Sequence, residues 1–192
     1  VDGRVHAFLH VDTEGALAAA AAVDSARASG AALAPLAGVP LALKDVMTQK
    51  GIPTTCGSRI LEGWRPPYDA TVTARLKAAG VVILGKTNVP VANADWQSVN
   101  KLFGSTVNPW NPALTAGGST GGGAAAVAAG LSAAELGSDI GGSIRIPAAF
   151  CGLFAHKPSA GIVANSGHFP WRNDPNPGAI MAAQGPLARS AA

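Results

Sequence analysis

The 192-residue chain carries 14 lysines and arginines against 11 aspartates and glutamates, a net charge of +3, with 48% hydrophobic and only 13% charged residues. With a mean hydropathy of +0.25, that composition excludes a disordered tail and requires most of the apolar surface to be buried in one core, or at most two. The basic residues are scattered rather than clustered, which argues against nucleic-acid binding, and 24 glycines and 14 prolines without a Gly-X-Y period exclude a collagen-like rod.

In chain order, a strand is predicted over Val5 to Val11, then an Ala-rich helix with Thr13 as N-cap, Glu14 in its first turn and Gly30 as terminator. Its apolar run, Ala16 to Val23, is too short and too close to Glu14 and Asp24 to span a membrane. Val39 to Asp45 reads as a short apolar strand that carries a lysine at its C-terminal end. A helix is predicted from Tyr68-Asp69 to Ala79, with Val72, Leu76 and Ala79 at helical spacing, and Gly80 hands over to a buried strand, Val81 to Leu84. Residues 108 to 123 are turn chemistry, Ala124 to Leu131 a small-residue helix, Ala134 to Leu136 a strand, 164 to 178 a loop, and Leu187 to Ser190 the start of a last helix. The alternation of strands and helices predicts an α/β fold with a mixed central sheet flanked by helices. No methionine precedes Val1 and the last predicted helix is cut short, so the chain is expected to be part of a longer one. Cys56 and Cys151 have neither a disulfide framework nor zinc-ligand spacing, and a reducing, cytoplasmic compartment is the default expectation.

Two motifs match by letter. Gly80 to Thr87 fits the P-loop pattern, but its middle residues form an apolar strand instead of a turn facing phosphates, so nucleotide binding is rejected. Gly117-Gly118-Ser119-Thr120-Gly121 fits a nucleophile elbow, with Asp139 or Asp174 and His156 or His168 as downstream partners. The elbow needs a strand before its serine, and Pro109 to Ala116 is a turn, so a Ser-His-Asp α/β-hydrolase stays an alternative only.

The chemistry concentrates in Ala116 to Gly123 and in Gly137-Ser138-Asp139-Ile140-Gly141-Gly142-Ser143-Ile144-Arg145-Ile146-Pro147. In each a serine follows a Gly-Gly pair, which lets successive N–H groups turn into one cavity and form a nest for a developing oxyanion. These two segments, with Gly38 to Asp45, Thr54 to Ser58, Leu84 to Asn88 and Asn108-Pro109-Trp110, resemble the amidase signature family over nearly the whole chain.

The resemblance implies an amidase signature fold, present here as a partial domain over residues 1–192, because the family's domain is about twice as long. It implies a Ser-Ser-Lys triad with Ser143 as nucleophile, Ser119 as bridging serine behind a cis Gly118–Ser119 peptide, and Lys44 as base. The N–H groups of Ile140, Gly141, Gly142 and Ser143 would line the oxyanion hole, with Asp139, Arg145 and Thr120 in support. Seventy-five residues separate Lys44 from Ser119 and 24 separate Ser119 from Ser143, as in the family. For Lys44 to act as a base it must be uncharged, which requires burial. Thr120 replaces a usual serine and Gly123 a common one. No metal or organic cofactor is implied.

The expected function is hydrolysis of a carboxamide to acid and ammonia through an acyl-enzyme, with a small-molecule amide as partner and a homodimer as one option. Pro53 to Leu84 resembles the A subunit of glutamyl-tRNA or aspartyl-tRNA amidotransferase, whereas Val89-Pro90-Val91-Ala92 and Ala155-His156-Lys157-Pro158 are closer to stand-alone amidases. The amidotransferase subunit is the alternative, and only it would bring in other subunits and tRNA. A catalytically silent fragment or interaction module is the third reading.

Overall fold

The chain, described over residues 1–168 and 181–191 in a computed structural model, begins with one helical turn, α1 (Asp2–Val5), whose last residue is the first of the predicted strand. The Asp2 carboxylate accepts the N–H groups of Ala7 and Phe8, and His6 adopts a left-handed conformation, so only Phe8–Val11 is left to form β1. Helix α2 (Thr13–Ala28) follows as predicted, although Asp12, not Thr13, is its N-cap and accepts the N–H of Gly15. Strand β2 (Pro40–Lys44) ends on the lysine, and α3 (Thr71–Ala78) leads into β3 (Val82–Thr87). Strand β3 runs three residues beyond the predicted end, and Lys86 lies within it, donating to the Met47 carbonyl and to Thr54 and pairing with Asp45 at 3.2 Å. A lysine so engaged from a strand makes no P-loop.

Helix α4 (Gly121–Ala128) starts three residues earlier than predicted and also ends three residues earlier. Its first turn is all glycine because neighbours lie directly against it: a Cβ on Gly122 would run into the backbone of Asn88 and Ala7, and one on Gly121 into the Ser98 side chain. Strand β4 (Ala134–Asp139), α5 (Arg145–Cys151), β5 (Phe154–Ala155) and β6 (Ala183–Ala188) complete the order. The helix predicted from Leu187 is therefore a correction. Leu187 and Ala188 pair with Glu135 and Ala134 as strand, since backbone pairing along β4 outweighs a weak local helix preference. Of the predicted loop 164–178, residues 169–178 lie outside the described residues, as does Trp171.

The six strands form one mixed sheet in the order β1-β3-β2-β4-β6-β5, with β2 parallel to both β3 and β4 and the remaining pairs antiparallel. Alternation splits the core into two layers. Leu41 and Leu43 face a cluster with Met47, Cys56, Val72 and Ile83 on the α3 side. Leu187 packs on the other side with Ala124, Ala125 and Ile144 under α4 and α5. Lys44, next to the ends of β3 and β4, is thereby placed at the N-terminal end of α4. Among the described residues, no helix is long and apolar enough to cross a membrane.

Candidate active site

Lys44 is completely buried, and its Nζ lies 2.7 Å from Ser119 Oγ, 3.1 Å from Ser138 Oγ and 3.2 Å from the Ser138 carbonyl oxygen. Burial lowers its pKa to about 7, against the opposing pull of Glu135, Asp139 and Cys56. The amine can therefore exist without its proton at neutral pH. Ser138, to which the sequence pattern assigns no role, supplies two of these three contacts. Its position inside the Gly-Ser-Asp run was a signal that could have found it.

Ser119 is buried and follows a cis peptide from Gly118, as the resemblance implies. No strand leads directly into it, only an isolated bridge between Val107 and Thr115, and its hydroxyl meets a lysine instead of a histidine, so the elbow alternative is not built here. Asp139 is bound to Arg145, the two candidate histidines lie in β5's exit and in a bridge to Met47, and Asp174 is outside the described residues.

The Ser143 segment is tied to the Ser119 segment through backbone: the Thr120 N–H donates to the Ser143 carbonyl at 3.1 Å, and Thr120 Oγ1 donates to the Ser138 carbonyl at 3.4 Å. Asp139 organises the loop between. Its carboxylate accepts the N–H groups of Gly142 (2.8 Å), Ile144 (3.0 Å) and Arg145 (3.3 Å) and the Arg145 guanidinium through two nitrogens. Of the four N–H groups expected to face an oxyanion, that of Gly142 is thus engaged by Asp139, while those of Ile140, Gly141 and Ser143 are not drawn into the carboxylate. Burial alone would raise the Asp139 pKa, but the Arg145 side chain and the three backbone donors outweigh it and hold the carboxyl at about 2.

A carboxyl depressed from 3.8 to about 2 stabilises the fold above its unfolded pKa and loses that contribution as pH falls through the folded one. The expected size is about 1–2 kcal/mol, kept low because the Arg145 side chain is 57% exposed and its share is screened. Urea unfolding between pH 5 and about 2 should show this loss in the wild type and not in Asp139→Asn. Equal acid sensitivity in both proteins would refute it.

A cleft lined by Val1, Arg4, Val5, Trp110 and Ala128 lies outside this region, since none of the predicted site residues borders it. Phe150, Phe154 and Trp96, unassigned between core and pocket by sequence, are all exposed.

The amidase family model matches residues 1–192. The chain belongs to the amidase family. Among curated amidase relatives, the A subunit of the glutamyl-tRNA(Gln) amidotransferase from Salinispora arenicola is 58% identical over 167 residues, 87% of this chain and 34% of that protein. Among solved structures, a protein from a vestigial complex bearing on the origins of an s-triazine catabolic enzyme superposes with a TM-score of 0.91 at 40% identity, covering 99% of this chain and 40% of that one. The 6-aminohexanoate cyclic dimer hydrolase in complex with its substrate gives 0.88 at 35% identity, with 99% and 38% coverage. This amidase chain thus spans about a third of the curated relative's length.

Proposed function

We propose that the chain carries the catalytic centre of an amide hydrolase that cleaves a carboxamide C–N bond to acid and ammonia through an acyl-enzyme on Ser143. The observation that carries this reading is the 2.7 Å contact between a fully buried Lys44 amine and the Ser119 hydroxyl. A neutral amine has two N–H groups and one lone pair. The Ser138 carbonyl can only accept, so one N–H goes there, leaving one N–H and the lone pair for the Ser119 and Ser138 hydroxyls. With Ser119 donating to the lone pair, its oxygen is free to accept from Ser143.

As Ser143 Oγ attacks the carbonyl carbon, its proton passes to Ser119 and the Ser119 proton to Lys44. The tetrahedral oxyanion is met by the N–H groups of Ile140, Gly141 and Ser143, since that of Gly142 is held by Asp139. Its collapse breaks the C–N bond, and the proton returns along the same path to the leaving nitrogen, which departs as ammonia. Water then attacks the acyl group by the same relay and frees the acid. Asp139 and Arg145 hold the loop.

A second reading is favoured by the 58% identity to the amidotransferase relative: the same chemistry applied to glutamine, with ammonia handed to partner subunits. The test uses the full-length protein. A fluorophosphonate probe should label Ser143, and a panel of primary amides without partners should release ammonia. Release only from glutamine with partner subunits and ATP selects the second reading. Absence of labelling defeats both and leaves the silent-fragment reading.

A further inference from the structure

Glu135 is a completely buried carboxyl on β4 that the proton relay above does not use. The fold makes room for it on three sides. It sits opposite Ala42 of β2 in the parallel ladder, and that small side chain lets it cross the strand to accept a hydrogen bond from Thr87 Oγ1 of β3 at 2.7 Å. From above, Gly123 of α4 leaves the space open, since a Cβ there would run into the Glu135 side chain. A larger residue at 123 would force the Glu135 side chain to move. The second carboxyl oxygen, Oε2, is buried with no hydrogen-bond partner.

Strand alternation puts this carboxyl and Lys44 on one face of the sheet: Ala42 is level with Glu135, and Lys44 lies two residues further along β2, level with Thr87. An ionised carboxyl with one unpartnered oxygen in a dry layer is costly, and so is an ammonium beside it; each charge lowers the cost of the other. We propose that Glu135 and Lys44 form one electrostatic pair beneath α4, with Glu135 a positioning residue whose charge decides whether the Lys44 amine is free to accept a proton from the serines. This rests on the reading of Lys44 as the base. When Glu135 ionises, the carboxylate favours the ammonium. When it holds its proton, the amine loses its own at lower pH.

Burial pushes the Glu135 carboxyl up from its ordinary range, while the Thr87 bond and the charges of Lys44 and Lys86 pull it down, so its charge changes over the range in which Lys44 titrates. Lys44 also feels Asp139 of β4 and Cys56, and its own charge reaches His168. Asp139 is already compensated by Arg145, and Lys86 by Asp45. Helix α4, packed over both partners, has no titratable side chain.

The full-length protein, with its lysines labelled with carbon-13 at Cε, gives the Lys44 titration directly by NMR, with Lys44→Met assigning the resonance. In Glu135→Gln the midpoint is expected to fall, by at most about one pH unit because the two groups titrate over the same range, since the fraction of anion that retained the proton is gone. An unmoved midpoint overturns the proposal. Should Glu135→Gln not fold, Thr87→Val is read the same way: without its hydroxyl donor Glu135 stays protonated to higher pH, so the Lys44 midpoint again falls, by less, and an unmoved midpoint again overturns the pair. A repacking effect alone has no reason to lower the midpoint in both variants. A midpoint that moves in a protein whose Ser143 takes no probe would keep the pair and defeat the hydrolase reading.

Discussion

Ser143→Ala is expected to remove fluorophosphonate labelling and to lower amide hydrolysis by a factor on the order of 10⁴ to 10⁶, the range seen when a serine nucleophile is deleted. The substitution removes one hydroxyl and little else. Ser143 anchors its segment through its backbone carbonyl, which accepts the Thr120 N–H, and the Asp139 cluster holds Gly142 and Ile144 on either side by their N–H groups. The variant should therefore unfold at nearly the wild-type temperature while losing its chemistry. The result also decides which of the two serines attacks. Labelling that persists, and maps to Ser119, would reverse their assignment.

Lys44→Met is expected to slow probe labelling by about 10²- to 10⁴-fold, the usual contribution of a positioned general base. The same change should make the protein more stable at neutral pH. An amine whose pKa falls from 10.5 to about 7 on folding binds fewer protons in the native state than in the unfolded one between those values. It therefore costs stability at pH 7, and the cost is relieved as pH rises towards 10.5. A few kcal/mol is the order of magnitude, reduced by the Ser138 and Ser119 groups that lose a partner. Glu135, raised from 4.5 to about 8, acts with the opposite sign over its own range, so the quantity to measure is the difference between variant and wild type at each pH. That difference should be largest near pH 7 and shrink towards pH 10. A variant as active as the wild type, or one destabilised equally at every pH, would contradict the role of a buried neutral base. The arrangement would then be an ordinary structural contact.

The fold was legible where local chemistry and tertiary packing agree. The strand within Val39 to Asp45 and the end of the helix before Gly80 read correctly because apolar runs, helical spacing and a terminating glycine all point the same way. It was misread where a side chain or a distant strand decides the backbone. Asp2 captures the N–H groups of Ala7 and Phe8 and shortens β1, and β4 draws Leu187 and Ala188 into a strand. Glycine at 121 to 123 reads as a turn by propensity, yet it opens a helix that lies against the Asn88 backbone at Gly122, where a Cβ would not fit.

From sequence alone followed the membership carried by two Gly-Gly-Ser segments and the requirement that a lysine 75 residues before the first of them lose its charge. Those are statements about residue type and order, which the chain carries whatever its shape. Only the tertiary structure decided that the lysine lies in a fully buried layer, that Ser138 joins its contacts, that Asp139 takes the N–H of Gly142, and that a second ionisable group, Glu135, lies on the same face of the sheet. Burial and register bring together groups far apart in the chain, and it is the field of those neighbours, absent from any linear pattern, that sets where a proton rests.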